Sequence, residues 1–452
     1  MRRSYAAGWV PRRGRARRGG SPRAGHAAGG VRLGPRPVGV IARRAAVVAS
    51  ARPGQSRSVT TALDPLALRP HYRQFLTVPD GAPRRVLLTG HSHQAWPDVA
   101  RAGQDEAFVD AALHVDDKWG RVFALQDELR GYIAERIGAR PRELALAAST
   151  HELVARFLSA LDLRARPHLV TTTGEFHSLD RQLRRLAETG VEITWVDAAP
   201  VDSLAERLAA AVRDDTAAVL ASTVLFETAA IVPNLAAVTA AARRRGAQVL
   251  FDAYHAWHVV PFSLADLGGD EVFVVAGGYK YAQWGEGVCF LRVPPGGAAL
   301  RPQYTGWFAG FAELDAPRDR ARPTAYQDDG ASAFAGSTFE PASSYRAVAV
   351  TRFARDAGLE LPRLRALSLA QTQRLIDAAT AHGLILATPR EPARRGGFVA
   401  IETPRATALV TALRAEGIYA DARGHRLRLG PAPYVTDDEL DLGVATVARL
   451  LA

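Results

Sequence analysis

Two residues in this chain have the types and spacing for covalent chemistry. Asp252 closes a short apolar run, Val249 to Phe251, and Lys280 follows 28 positions later, just past a second apolar run that ends at Ala276. The lysine stands in Gly277-Gly278-Tyr279-Lys280-Tyr281, ahead of Gly285-Glu286-Gly287 and a third apolar run, Val288 to Val293. Short Val- and Phe-rich runs bounded by Gly and Asp read as strands of a buried sheet. An acid at the end of one such strand and a lysine just past another suit an aldehyde cofactor. The amine forms a Schiff base, and the acid keeps a pyridine nitrogen protonated so that the ring can drain electrons from a carbanion. That is the layout of a pyridoxal phosphate (PLP) enzyme, with Lys280 and Asp252 in the catalytic roles. The chain's basic residues sharpen the expectation. Of 57 Lys+Arg, only Lys118 and Lys280 are lysines. Arginine serves a surface ion pair as well or better, but its guanidinium stays protonated and forms no imine.

Other stretches carry side chains that could complete such a site. The loop Thr89–Pro97 holds His91, Ser92, His93 and Trp96. It is either a capped turn before a helix near Asp98 or an active-site wall that hydrogen-bonds substrate. No third ligand is spaced to make His91 and His93 a metal site, and none is expected. Ser149-Thr150-His151-Glu152 opens a helix; small hydroxyl residues there cap it, and can also present N–H groups to an anion such as a cofactor phosphate. Phe176 follows a strand, where its ring could lie flat on a pyridine. Arg428, in a strand before Pro431, could clamp a carboxylate through its planar fork or could be an ordinary solvated strand arginine. The single cysteine, Cys289, lies inside an apolar run and reads as a small buried hydrophobe rather than a mobile sulfur nucleophile.

The elements that must hold these residues alternate in type. From 144 to 276 the pattern runs strand, helix, strand, helix, which predicts a three-layer α/β domain with a mostly parallel sheet. Ligands in such sheets lie beyond the carboxyl ends of the strands, and Thr150, Phe176, Asp252 and Lys280 all fall at or just past predicted strand ends. Residues 343–358 and 361–382 read as helices, then 404–416 and 437–451. Leu384–Ala387, Gly397–Ile401 and Leu427–Gly430 read as strands, giving a smaller α+β C-terminal domain. The predicted organisation is a basic extension at 1–60, a segment at 61–140 that contributes to the small domain and the active-site wall, a large PLP-binding domain at 141–305, and a linker with the C-terminal domain at 306–452. Neither a Gly-x-Gly-x-x-Gly turn between strand and helix nor a P-loop is present, so no dinucleotide or P-loop nucleotide site is supported.

Charge and composition limit the remaining classes. The net charge of +11 suggests a nucleic-acid binder, but residues 1–60 hold 14 arginines and no acid, so the body carries a net −3. The basic stretch is rich in Gly and Pro with little to pack and reads as disordered, either an upstream extension or a targeting-like segment. It lacks interleaved aromatics, so no nucleic-acid partner is expected. No apolar run reaches 18 residues, so no membrane span is expected. One cysteine fits a reducing compartment and a cytoplasmic location.

Taken together, Asp252, His255-Ala256, Tyr279-Lys280-Tyr281 and Gly285-Glu286-Gly287, with Gly306-Trp307 and Arg428 before Pro431-x-Pro433, resemble kynureninase, in the class V aminotransferase group of fold type I PLP enzymes. The likeness runs in order over about residues 85–450. It implies that Lys280 carries the cofactor, Asp252 meets its ring nitrogen, Phe176 stacks on it, and His255 lines its pocket. Ser149, Thr150, Ser178, Tyr279 and Thr338 would bind the cofactor, with Tyr279 able to act as acid or base. His91, Ser92, His93, Trp307 and Arg428 would meet an amino-acid substrate, Arg428 at its α-carboxylate. The family is homodimeric with active sites at the interface, so Trp307 and Thr338 are expected to act across it. The implied reaction is hydrolytic cleavage of kynurenine to anthranilate and alanine, in tryptophan catabolism; the alternatives are transamination or β-elimination on another amino acid. This chain departs from the family at Phe176-His177-Ser178-Leu179, where the family has Phe-Pro-Ser-Asp and Asp180 comes one place late. It departs again at His255-Ala256-Trp257-His258-Val259 and at His91-Ser92-His93-Gln94. An acid expected near the cofactor is therefore absent or shifted, and the substrate-facing parts are altered.

Overall fold

The fold is built on a seven-stranded sheet whose inner strands are largely buried on both faces. The computed structural model describes residues 62–314, 320–327 and 330–452; the expectation for 1–60 lies outside them, as does part of the polar segment 315–329. The central sheet comprises β2 (Leu144–Ala147), β3 (His168–Thr172), β4 (Glu192–Val196), β5 (Thr216–Ser222), β6 (Gln248–Asp252), β7 (Phe273–Gly277) and β8 (Cys289–Arg292), in the order β2-β8-β7-β6-β5-β3-β4. β8 pairs antiparallel with β7 and β2, and the other pairings are parallel. Successive residues feed opposite faces, as the pleat requires. Val249 and Phe251 enter one apolar cluster and Leu250 the other; Val274 and Ala276 enter the first, Phe273 and Val275 the second.

Helices cover both faces, so the sheet is the middle of three layers. On one side lie α4 (Lys118–Ile137), α7 (Leu204–Ala210), α8 (Leu235–Arg244) and α9 (Ala342–Asp356); on the other lie α5 (Thr150–Ser159) and α6 (His177–Ala187). The expected α/β architecture is the one observed. Its physical basis is the continuous apolar character of the inner strands, of which β5, Thr-Ala-Ala-Val-Leu-Ala-Ser, is buried at all seven positions.

A second core is made by chain ends far apart in sequence. The short helices α1 (Pro65–Leu68) and α2 (Arg73–Leu76) lead to β1 (Val86–Leu87), and α3 (Val99–His114) follows. β1 pairs in parallel with β10 (Ile418–Tyr419). An antiparallel sheet joins β11 (Asp421–Arg423), β12 (Arg426–Leu429) and β9 (Val399–Glu402). Against these pack α10 (Leu361–Ala381), α11 (Ala406–Ala415) and α12 (Asp437–Leu451), with Leu68, Val86, Leu375, Leu409, Leu427 and Val444 in one apolar cluster. Residues 384–387 do not form the expected strand; a single bridge, Leu386 to Ile401, is all that pairs there, since Gly383 and Pro389 bracket a run too short to extend. The loop after β1 is pinned by a bridge from Thr89 to Gly430. A Cβ on Gly430 would stand 2.1 Å from His91 Nδ1, so only glycine allows this approach.

Candidate active site

The parallel strands deliver their last residues to one edge of the sheet. Asp252 ends β6, Ser222 ends β5 in register with it, and Gly277 ends β7 three residues before Lys280. Backbone bonds fix this edge: Thr223 N–H donates to the Asp252 carbonyl at 2.9 Å, and Ala253 N–H to that of Val275 at 2.8 Å. Tyr254 N–H donates to Asp252 Oδ1 at 2.8 Å, which orients the carboxylate. Gly277 has no room for a side chain, because a Cβ would meet Cys289 Sγ at 2.3 Å and the Tyr254 hydroxyl at 2.5 Å.

Lys280 is 5 % exposed. Its Nζ lies 2.8 Å from His255 Nε2 and faces the rings of Tyr254, Phe176 and Tyr279 at 4.5, 5.5 and 5.6 Å. Burial pushes its ammonium down to about 7, against the pull of Asp252 and helped by Arg428. The lysine is therefore a substantial fraction free amine at neutral pH, which is the form that attacks a carbonyl. Burial and then the Lys280 charge drive His255 well below the usual imidazole range, so its ring is neutral. Burial raises Asp252, with Tyr254 N–H and then Lys280 pulling back. Tyr279 is pushed up to about 12 by burial and packs 5.0 Å from Tyr254 and 5.4 Å from His93.

A second charged group stands beside the lysine. Arg428 is buried rather than solvated, and its Nε and Nη2 donate to the two oxygens of Asp421 at 2.8 and 2.5 Å. Its Nη1 donates to the Phe226 carbonyl. A guanidinium has five N–H donors, so two remain on Nη1 and Nη2 for a further acceptor. His91 Nε2 lies 2.9 Å from Asp421 Oδ1. Against burial, which raises it, His91 and Arg428 hold Asp421 well below the ordinary carboxylate range. Burial also pushes His91 down to about 4. Phe398 forms a wall shared by this group, its ring 4.6 Å from His91, 5.7 Å from His255 and 5.5 Å from the Arg428 guanidinium.

The structure thus brings Lys280, Asp252, His255, Phe176, Tyr279, His91, His93 and Arg428 together. Ser92 is buried beside His91, with its hydroxyl donating to the Thr89 carbonyl at 3.3 Å. Ser149 is the N-cap of α5, accepting from Glu152 N–H at 3.2 Å; Thr150 is the first residue of that helix. Three residues stand apart from this group. Ser178 lines a surface cleft with His151, Arg181 and Arg185. Thr338 lines a cleft of about 840 Å³ with Phe123, Arg130 and Arg156. Trp307 is 42 % exposed and stacks on Phe308 at 4.2 Å. The sequence reading missed Asp421, Phe398 and Glu175. Asp421 lies two residues before Arg423 in a short polar hairpin, with only its alternation against Arg428 as a signal. Phe398 hides in an apolar run. Glu175 sits directly before Phe176, just past the end of β3, but its inward turn to Ser222 leaves no mark in the sequence.

Residues 364–447 match the model of the kynureninase C-terminal domain. The chain is similar to the kynureninase of Pseudomonas fluorescens, 29% identical over 408 residues that cover 84% of this chain and 91% of the relative. It is also similar to the kynureninase of Geobacillus thermodenitrificans, 26% identical over 392 residues, covering 83% and 89%. Among solved structures, a C-DES mutant with glycine covalently linked to its PLP cofactor superposes with a TM-score of 0.73 at 17% identity, over 84% of this chain and 98% of that one. A cysteine desulfurase of Escherichia coli does so at 0.71 and 16%, over 86% and 99%.

Proposed function

We propose that this chain, which is kynureninase-like and of the class V group of fold type I PLP enzymes, hydrolyses the side chain of a kynurenine-like amino acid, with water and kynurenine giving anthranilate and alanine. The observation that carries this reading is the buried Lys280 amine, 2.8 Å from His255 and past the strand end that holds Asp252, in a chain whose kynureninase likeness spans most of its length.

The residues present fit PLP. A buried amine, a strand-end carboxylate, an aromatic ring 5.5 Å from the amine and a buried His255 Nδ1 with no partner lie at one edge of the sheet. When bound, PLP supplies a carbonyl for covalent attachment and a ring that takes up negative charge from the substrate's Cα. Lys280 Nζ holds that attachment and, once free, takes the α-proton. Neutral His255, 2.8 Å away, accepts from the Nζ ammonium and returns the proton. Asp252 would hold a proton on the ring nitrogen, and Phe176, whose ring lies 5.5 Å from Nζ, would pack against the ring. The two uncommitted N–H groups of Arg428 bind the substrate α-carboxylate while Asp421 holds the guanidinium flat. Tyr279 and His93, in contact at the mouth, are placed to give a proton to a side-chain carbonyl oxygen.

The second reading is transamination or β-elimination at the same lysine; the altered loop His91-Ser92-His93-Gln94 is what favours it. A desulfurase role for Cys289 does not fit: the thiol is buried and pushed up to about 12 by burial, so it is neither exposed nor ionised. The homodimer with shared sites is supported by the exposed, mutually stacked rings of Trp307 and Phe311, since a contiguous apolar patch marks an interaction surface. Among the described residues no helix is long and apolar enough to cross a membrane, and the single cysteine agrees with a cytoplasmic place in tryptophan catabolism. The test is incubation with PLP and kynurenine, 3-hydroxykynurenine and simple amino acids. Anthranilate or its hydroxy form with alanine supports the reading; a keto acid without aromatic amine replaces it with the second.

A further inference from the structure

We propose that Glu175 is a positioning residue for Asp252: a carboxylic acid that stays protonated beside it, so that the pair carries one negative charge and Asp252 keeps it. This rests on the PLP reading for its use, though the charge state it assigns can be measured without the cofactor. Glu175 lies just past β3, directly before Phe176, and is 4 % exposed. Ser222 N–H donates to its Oε1 at 2.8 Å, and Ser222 Oγ lies 2.7 Å from its Oε2. Ser222 is the register partner of Asp252 across β5 and β6, so two carboxyl groups flank one serine at the sheet edge.

Two carboxyl groups enclosed together cannot both ionise without cost, and the one with the poorer partners keeps the proton. Asp252 has the Tyr254 N–H and the Lys280 charge. Glu175 has only neutral Ser222 and no cation partner among the described residues. Burial pushes Glu175 up to about 8, with the Ser222 hydroxyl pulling against it and the Asp252 charge adding to it. The groups that face it are Asp252 from β6, with Lys280 behind, and Ser222 from β5; His177, which begins α6, turns instead to Phe226 at 5.4 Å. Protonated, Glu175 keeps its place on Ser222, whose N–H still donates to Oε1. The neighbouring acid cannot do this. Leu179, where an acid was expected, packs into the core, and Asp180 faces outward to Arg184 at 2.9 Å.

The test is PLP affinity of the apoprotein by equilibrium dialysis from pH 6 to 9.5, for wild type and Glu175→Gln, with carbon-13 NMR of δ-labelled glutamate in the apoprotein. Wild-type affinity should change slope at the Glu175 midpoint near 8. Glu175→Gln, which is permanently neutral, should bind as wild type at pH 6.5 and lack that alkaline break, while keeping the acid-side fall caused by Lys280. The glutamate signal lost in Glu175→Gln should titrate near 8, and Ser222→Ala should move its midpoint higher. An alkaline break that persists in Glu175→Gln, or a midpoint in the ordinary glutamate range, overturns the proposal. Should the wild type capture no PLP at any pH, the cofactor reading fails, and the glutamate titration still decides the charge on Glu175.

Discussion

Lys280 and its immediate neighbours determine what the site can do at the scale of single residues. Replacing the amine by guanidinium in Lys280→Arg keeps the positive charge and removes the nucleophile. Turnover should fall by at least about 10⁴-fold, the upper range for losing one positioned proton-transfer group, and the yellow absorbance of the PLP-bound protein should disappear. Persistence of both would remove the basis of the cofactor assignment. A pH effect follows from the lowered ammonium. Lys280 is depressed from its ordinary value to about 7, so the reactive neutral form is complete above that pH. The rate of covalent PLP capture by apoprotein, followed by stopped-flow absorbance, should level off between about 7 and 8 and fall about tenfold per unit below that. The same shift acts on stability. The unfolded chain binds this proton more tightly than the folded one, so Lys280 contributes stability that grows as pH rises from about 7 towards the ordinary lysine range. Much of this site was legible in the sequence because lysine is so rare in the chain and because Asp252 and Lys280 punctuate apolar runs. Glu175 was not legible as an acid of the site, since nothing in a string of residues says that its side chain turns inward to Ser222 while Asp180 turns out.

The hairpin of β11 and β12 governs the substrate side at the scale of elements. It places Asp421 opposite Arg428 in register, and the loop after β1 adds His91 to the pair. Removing one charge from such an enclosed pair leaves the other uncompensated. Asp421→Asn should therefore destabilise the fold by about 3 kcal/mol, measured by urea denaturation, and raise KM more than it lowers kcat. The double variant Asp421→Asn, Arg428→Met should regain much of the stability but none of the substrate affinity. If the single change costs nothing in either measurement, the pair has no part in holding the guanidinium. Elements of the large sheet were readable from apolar runs and strand-end residues, because parallel strands buried on both faces have few alternatives. The short pairing of Val86–Leu87 with Ile418–Tyr419 was not, since two-residue strands leave no period to detect and their partners lie in distant parts of the chain.

The whole-molecule question is whether one chain suffices. Trp307 and Thr338 lie apart from Lys280 within the chain, on a segment whose rings Trp307, Phe308 and Phe311 stack on one another. If these residues complete the site of a second copy, Lys280→Ala and Trp307→Ala chains, each inactive alone, should complement when mixed and allowed to exchange. In a two-fold dimer half the mixed population is hybrid with one intact site, so on the order of a quarter of wild-type activity should return. Sedimentation would establish the dimer separately. No recovery in exchanging mixtures would place Trp307 in its own chain's site or in none. This relation was accessible only through resemblance, because no pattern within one sequence distinguishes a contact inside a chain from one between copies.

The union of Val86–His93 with residues 418–421 has a further consequence, for synthesis. His91 meets Asp421 across 330 positions, and β1 waits for β10. A ribosome releasing the chain from its amino end thus exposes Val86–His93 long before their anchor exists, whereas β2 to β8, with Lys280 among their loops, can collapse earlier. Nascent chains stalled before residue 418 should carry the amine in a formed sheet but lack a closed mouth, and the unmatched β1 edge is where a chaperone would be expected to hold them.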